Sequence, residues 1–493
     1  MTGICNMKSD EADENSTLLW YDYETYGPVT SYDRPVQFAG IRTTPDLEEI
    51  GNPVVLTCRI APDYLPTVQA CLIHRFTPLS VGPDALNEVD FARRIHAELA
   101  APATCSVGYN AIRFDHEVTR FLFYRNLIEP YAWHWQDENS AWDILDLARA
   151  AFAFRPDGIN WPRDEEGTPI FRLEGLAEAN GITHESAHDA LSDVRATIGL
   201  ARLLRKHNPR LYAYYFSLRR KNKLETLLTP VELKVFAHTT GMIPAVLGHT
   251  SLVATLIAHP KNNGSVIVYD LRHDPEPLFD LPADELRTRL YTKSDDLPPG
   301  IVRPALKSVR MNKSPFVAPA RMITDEVAAR IGLDKPDCRR HFKALRCHPE
   351  FLKKVRDVFD EAPAFPPRDV DEDLYRGFID RSDREKLEQW LGGKPEILAA
   401  TRPIFKDPRL KDLAFRFRAR NFPESLSPEE TKRWHDHCRG RLLTPGEDGK
   451  SRFDRFRDEL EHYGSQAHEA DDLRILKELR DYAREVRAWL GDG

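Results

Sequence analysis

The sequence predicts an α/β multidomain protein, on three observations. Short apolar runs alternate with helical periodicity up to about residue 209, β-branched runs follow to about residue 360, and charged, helix-patterned sequence fills the remainder. At roughly 150 residues per domain, a chain of 493 residues holds about three cores.

Residues 1–16 contain Asp10, Glu11, Asp13 and Glu14 and no apolar run, which predicts a disordered leader. Segments 18–23 and 37–42 read as strands, while 91–99, 117–127, 142–152 and 189–206 space apolar residues three and four apart, as half-buried helices do. After the His207-Asn208-Pro209 break, 250–258 and 265–271 are joined through Pro260 and Asn262-Asn263-Gly264, a hairpin signal. Segments 231–238 and 300–302 add strands, so 210–360 is expected to be β-rich with some helix. Three prolines within 361–368 predict an extended linker. Beyond it, 383–391, 428–437, 453–463 and 471–490 read as helices, with Gly392-Gly393 and Gly440 as stops.

Composition narrows the class. Hydrophobic residues at 41% and charged residues at 30% suit a soluble globular protein and argue against wholesale disorder or membrane embedding. A net charge of −8 gives no general affinity for polyanions, so any such binding must come from a local basic patch. The seven cysteines are scattered and never spaced CxxC, which predicts neither a disulfide framework nor a thiolate zinc site and fits a reducing cytoplasm.

Acidic residues carry the chemistry. In Leu18-Leu-Trp-Tyr-Asp22-Tyr-Glu24, period two sends Asp22 and Glu24 to one face of a strand. Two adjacent like charges are costly unless they share a hard divalent cation; the alternative is a solvated strand end. Asp115 precedes a helix, either facing the same site or serving as its N-cap. In His184-Glu-Ser-Ala-His188-Asp189-Ala-Leu-Ser-Asp193, His188 and Asp193 sit at another helix start, where they either complete the site or answer the helix dipole. The same stretch reads HExxH, but it follows the Asn180-Gly181 turn and lacks a downstream ligand pattern, which argues against a zinc peptidase. Between Arg202 and Leu224 stand eight basic residues, no acidic ones, and Tyr212, Tyr214, Tyr215 and Phe216. Cations interleaved with rings suit a single-strand track; a solvated helix with core aromatics is the alternative. Arg303, Lys307, Arg310 and Lys313 form a second candidate strip, and Trp20, Tyr23, Tyr26 and Phe114 either stack on bases or pack.

The ordered set Asp22, Glu24, Asp115, His188, Asp193 resembles the DEDDh 3′-to-5′ exonuclease superfamily, with its strand DxE, middle Asp and final HxxxxD. The stretches YDYETYG, GYNAIRFDHEVTRFLFYRN, FRLEGLAEANGI and AHDALSDV, continuing to Arg418-Ala-Arg420-Asn-Phe-Pro423, are similar to the bacterial exodeoxyribonuclease I family. The departures are the acidic leader and the Gly- and charge-rich stretch 445–452, neither of which touches a motif.

The resemblance implies an RNase H-like exonuclease domain over 17–209, an SH3-like domain over 210–360, a linker over 361–368 and a helical domain over 369–493. It implies a monomeric enzyme that releases 5′-mononucleotides from the 3′ end of single-stranded DNA in repair and recombination. Asp22, Glu24, Asp115 and Asp193 would hold two magnesium ions, manganese being a substitute, and His188 would accept the water's proton. Arg172, Arg219, Arg220, Lys221 and Lys223 would meet nucleic acid, and Arg155 and Tyr214 would belong to a pocket for the C-terminal tail of single-stranded-DNA-binding protein. A DEDDh exoribonuclease and an inactive nucleic-acid-binding scaffold are the competing readings.

Overall fold

A computed structural model of the chain describes residues 16–184, 189–229, 233–361, 368–392 and 403–491. Residues 1–15 of the expected leader, 231–232 of an expected strand, and 362–367 of the expected linker lie outside the described residues. The chain forms two compact units, one gathering Met1–Asn139, Glu185–Arg195 and Pro367–Gly493, the other Ser140–His184 and Ala196–Pro366.

In the first unit, β1 (Thr17–Thr25), β2 (Pro35–Thr43), β3 (Val54–Thr57) and β4 (Thr104–Gly108) lie in the order β3-β2-β1-β4. Leu18, Leu19, Trp20 and Tyr21 are all buried, as befits a strand covered on both faces. β1 runs antiparallel to β2 from Leu18↔Thr43 to Glu24↔Gln37, whereas its parallel pairing with β4 stops at Trp20↔Val107. Its last residues are therefore paired on the β2 side and released from β4. Helices Glu88–Leu99 and Asp115–Arg125 cover one face, packing Phe91, Ile95, Val118 and Leu122 against Leu19, Tyr21, Tyr23 and Phe38.

The same unit holds the helices Arg381–Leu391, Pro408–Asn421, Pro428–Leu443, Arg452–Gly464 and Ala470–Trp489. Phe415, Trp434, Leu442, Phe456, Ile475 and Leu479 share a core with Tyr26, Tyr64 and Val68. Gly392 caps its helix as expected, but Gly440 does not end one: the helix continues to Leu443. Nothing lies within 4 Å of a Cβ built on Gly440, so it is a tolerated helical glycine, and Pro445 provides the stop.

The second unit begins with β5 (Ser140–Asp143) and the helix Ile144–Phe154. Trp142 thus belongs to a strand rather than to the expected helix, because the Asp143 carboxylate accepts from Leu145 N at 3.0 Å and sets the helix start after it. Strands β6 (Val235–Thr239), β7 (Thr250–Ala258), β8 (Ser265–Asp270), β9 (Leu306–Arg310) and β10 (Phe316–Pro319) form a second sheet in the order β10-β6-β7-β8-β9, antiparallel throughout. The strand expected over 300–302 is absent; Pro298, Pro299 and Pro304 cannot donate to a ladder, and pairing starts at Leu306. Among the described residues no helix is long and apolar enough to cross a membrane. Among the described residues, Cys58, Cys71, Cys105, Cys338, Cys347 and Cys438 form no disulfide.

Candidate active site

Where β4 ends, the chain must turn sharply to lay the Asp115 helix beside β1. Gly108 makes that possible: a Cβ there would stand 2.6 Å from the Ala111 Cβ and 3.0 Å from the Tyr21 carbonyl oxygen. Asn110 turns the chain with a φ of 61°. Asp115 is then the first residue of its helix rather than its N-cap, and its carboxylate accepts from Tyr23 N at 3.2 Å. The side chain thereby takes a β1 amide that lies beyond the reach of β4.

The third acid arrives on the helix Ala190–His207. Asp189 accepts from Ser192 N at 3.2 Å and caps the helix, which brings Asp193 in on its first turn. One oxygen from each of Asp22, Glu24 and Asp193 lies within 4.8 Å of the others. Glu24 is only 9% exposed.

Such crowding suppresses ionisation. Burial, followed by the charges of Asp115, Glu24, Asp193 and Asp189, holds the Asp22 carboxyl well above the ordinary carboxylate range. Burial, then Asp193, Asp115 and Asp189, pushes Glu24 up to about 9. A cluster of hard oxygen donors that resists carrying its own charge fits a divalent cation, which neutralises it.

Three of the four expected acids therefore meet at one point, and Asp115 supplies the largest charge acting on Asp22. His188 lies outside the described residues. Sequence reasoning missed Asp189 and also Gln37, whose amide reaches it (Nε2 to Asp189 Oδ1, 3.2 Å). The only signal for Gln37 was a polar residue opening an apolar strand.

The aromatic residues mostly pack. Trp20 donates to Thr43 Oγ1 at 2.9 Å, and Trp20, Tyr23 and Tyr26 are buried, while Phe114 is partly buried against the same core as Tyr23. None of the three buried rings is available for base stacking. Tyr212 and Tyr215 are buried against Trp142, which favours core packing over the nucleic-acid track as the role of these two rings. Half-buried Phe216 carries the Arg219 guanidinium 3.6 Å above its ring, and Arg219 Nη1 donates to Phe216 O at 2.8 Å.

Arg220, Lys221 and Lys223 are exposed, Lys221 pairing with Glu225 at 3.2 Å, and Arg172 is exposed before the helix Leu173–Ala179. Exposed Arg155 donates to Phe154 O at 2.7 Å, and Tyr214 donates its hydroxyl to Val317 O at 2.8 Å. In the second basic strip, Lys307 is committed to buried Asp270 at 3.0 Å, and Arg303 to Leu290 O at 2.8 Å. Arg310 is exposed.

A carboxylate cluster at the released end of a central strand, brought together from separate motifs, makes a metal-binding site of hard oxygen donors. A family profile described as Exonuclease matches residues 19–201, the Exonuclease I SH3-like domain matches 219–361, and the Exonuclease I C-terminal domain matches 368–486. Exodeoxyribonuclease I of Escherichia coli (strain K12) is 44% identical over 479 residues, which is 97% of this chain and 99% of the relative. The chain belongs to the exodeoxyribonuclease I family. E. coli Exonuclease I in complex with a dA16 oligonucleotide aligns with a TM-score of 0.91 at 44% identity, over 96% of this chain and 100% of that one. The zinc-ion-bound E. coli ExoI-ssDNA complex aligns at 0.90 and 43% identity, and an SSB/Exonuclease I structure with the inhibitor CFAM at 0.88 and 42%, each over 96% of this chain and 99% of its own.

Proposed function

We propose that this chain is a metal-dependent, single-strand-specific 3′-to-5′ exodeoxyribonuclease that releases 5′-mononucleotides and acts in DNA repair and recombination. The observation that carries the reading is the meeting of Asp22, Glu24 and Asp193 within 4.8 Å. The relatives with DNA or metal in their solved complexes support it.

Asp22, Glu24 and Asp193 would hold one cation, and Asp115 with Asp22 a second; magnesium is the expected ion, with manganese a substitute. When bound, the ions supply charge neutralisation on the phosphoryl oxygens and a more acidic water. His188 would accept a proton from the attacking water as the water oxygen bonds to phosphorus; the bond from phosphorus to the 3′-oxygen would break, and that oxygen would take a proton from solvent, leaving a 5′-mononucleotide and a strand with a new 3′-hydroxyl. Arg172, Arg219, Arg220, Lys221 and Lys223 contribute cations for the phosphate backbone. Arg155 and Tyr214 would belong to a pocket for the tail of single-stranded-DNA-binding protein; the SSB/Exonuclease I structure supports that protein as a partner. The enzyme acts as a monomer in the cytoplasm, and its domains divide at 17–209, 210–360 and 369–493, with 361–368 as linker.

Digestion of 5′-labelled oligomers tests the reading. Single-stranded DNA should give a descending ladder only with magnesium, and blunt duplex little product. Faster cleavage of matched RNA would make the chain an exoribonuclease instead, and full activity in Asp22→Ala would mean that the site is elsewhere.

A further inference from the structure

The register of β1 and β2 places Gln37 directly opposite Glu24, and facing residues of an antiparallel pair project to the same side. Gln37 is 5% exposed. Its amide is used at both ends: Nε2 donates to Asp189 Oδ1 at 3.2 Å, and Oε1 accepts from Ala190 N at 3.0 Å. Ala190 opens the helix that bears Asp193, and its N–H is among those a helix cannot satisfy internally. That N–H can only donate, so it fixes which way the amide points. One neutral side chain thus clamps the start of the Asp193 helix to the strand next to the one bearing Asp22 and Glu24.

We infer that Gln37 is a positioning residue for the cation site, setting the reach of Asp193 toward Asp22 and Glu24 by holding Asp189 and Ala190. The inference rests on reading those three acids as cation ligands. The side chain works through the helix it anchors. Both ends of the amide are required. A glutamate could still accept from Ala190 N but would set a like charge against Asp189, and a methionine of similar length would do neither. Displacement of the helix by a few tenths of an ångström separates oxygens that must converge on one ion, while leaving the surfaces that meet DNA in place.

The test uses the full-length protein as parent, Gln37→Met, Gln37→Glu and Asp22→Ala. Manganese binding is measured directly by calorimetry, alongside kcat and KM on a single-stranded oligomer. Outer partners of metal ligands typically govern affinity by about 10- to 100-fold, so both Gln37 variants should weaken manganese by about tenfold or more, with kcat reduced and KM for DNA within about twofold. Unchanged manganese affinity in both variants overturns the inference, even if kcat falls, because loss of folded enzyme lowers kcat without moving the metal constant. A parent that binds manganese no better than Asp22→Ala overturns the site itself, a result distinct from failure of Gln37 alone.

Discussion

At the scale of single residues, the site is built against its own stability. Asp22 and Glu24 are forced together with Asp193 and with the field of Asp115, so without a cation the fold works to keep Asp22 and Glu24 protonated. Asp22→Asn should abolish cleavage while raising the metal-free melting temperature, by an amount equivalent to about 0.5–2 kcal/mol, as when a strained functional group is relieved. Thermal unfolding with chelator present, beside an activity assay, checks both halves. Glu24 adds a pH dependence. Its folded value near 9 lies above the unfolded carboxyl value of 4.5, so its contribution to stability is complete below the unfolded value and is lost as pH rises through the folded one. The metal-free protein should therefore melt progressively lower from about pH 5 to about pH 9, and manganese affinity should climb over the upper part of that range as the proton it displaces is held less tightly. A flat metal affinity across it would contradict the assignment.

The residues of this site were unequally legible. Asp22 and Glu24 follow from strand parity, and Asp193 from its spacing after His188, because local periodicity fixes which face a side chain takes. Gln37 and Asp189 depend on strand register and on where a helix starts, and neither is written locally. Tyr212 and Tyr215 were open to a core reading and a nucleic-acid reading; Trp142, distant in sequence, decides for the core.

At the scale of elements, two short devices place the long ones. Gly108 allows the Asp115 helix to approach β1, and an added Cβ at 2.6 Å from the Ala111 Cβ leaves no room. Gly108→Ala should cost about 1–3 kcal/mol as an overpacked contact, and it should also lower kcat because the same shift moves Asp115. Ser427 is the contrasting case. Its hydroxyl accepts from Glu430 N at 3.2 Å, and Glu430 answers by accepting from Ser427 N at 3.0 Å, capping the helix Pro428–Leu443. Ser427→Ala should cost about 1 kcal/mol in thermal unfolding and leave cleavage unchanged, since the cap touches no part of the site. Helix starts of this kind are legible as Ser-Pro-Glu-Glu. The stop at Gly440 was misread because glycine ends a helix only where the backbone needs its conformational freedom, and here it does not.

At the scale of the molecule, composition marked sections along the chain but not which of them share a core. The first unit joins the opening strands to the C-terminal helices, and buried charges run through the join. Asp371 is fully buried and receives Arg420, together with Arg416 at 3.1 Å and Arg441 at 3.2 Å; Arg420 also holds buried Asp63 at 2.8 Å. The arginines outweigh the cost of burial, holding Asp63 down to about 2 and Asp371 well below the carboxylate range. Such a network adds little net stability over an apolar core, yet it makes each member indispensable to the others. Asp371→Asn leaves four guanidinium groups, those of Arg416, Arg420, Arg441 and, at 3.8 Å, Arg34, facing a neutral amide and should destabilise this unit by about 3–5 kcal/mol. The depressed values also give the acid response: the carboxylates' contribution is complete above the unfolded value near 3.8 and disappears as pH falls through their folded values. Acid unfolding followed by circular dichroism should show the parent losing stability between about pH 4 and about pH 2, with a shallower slope in Asp371→Asn because fewer protons are taken up there. Equal slopes in the two proteins would mean that these buried carboxylates do not govern the acid limit of the fold.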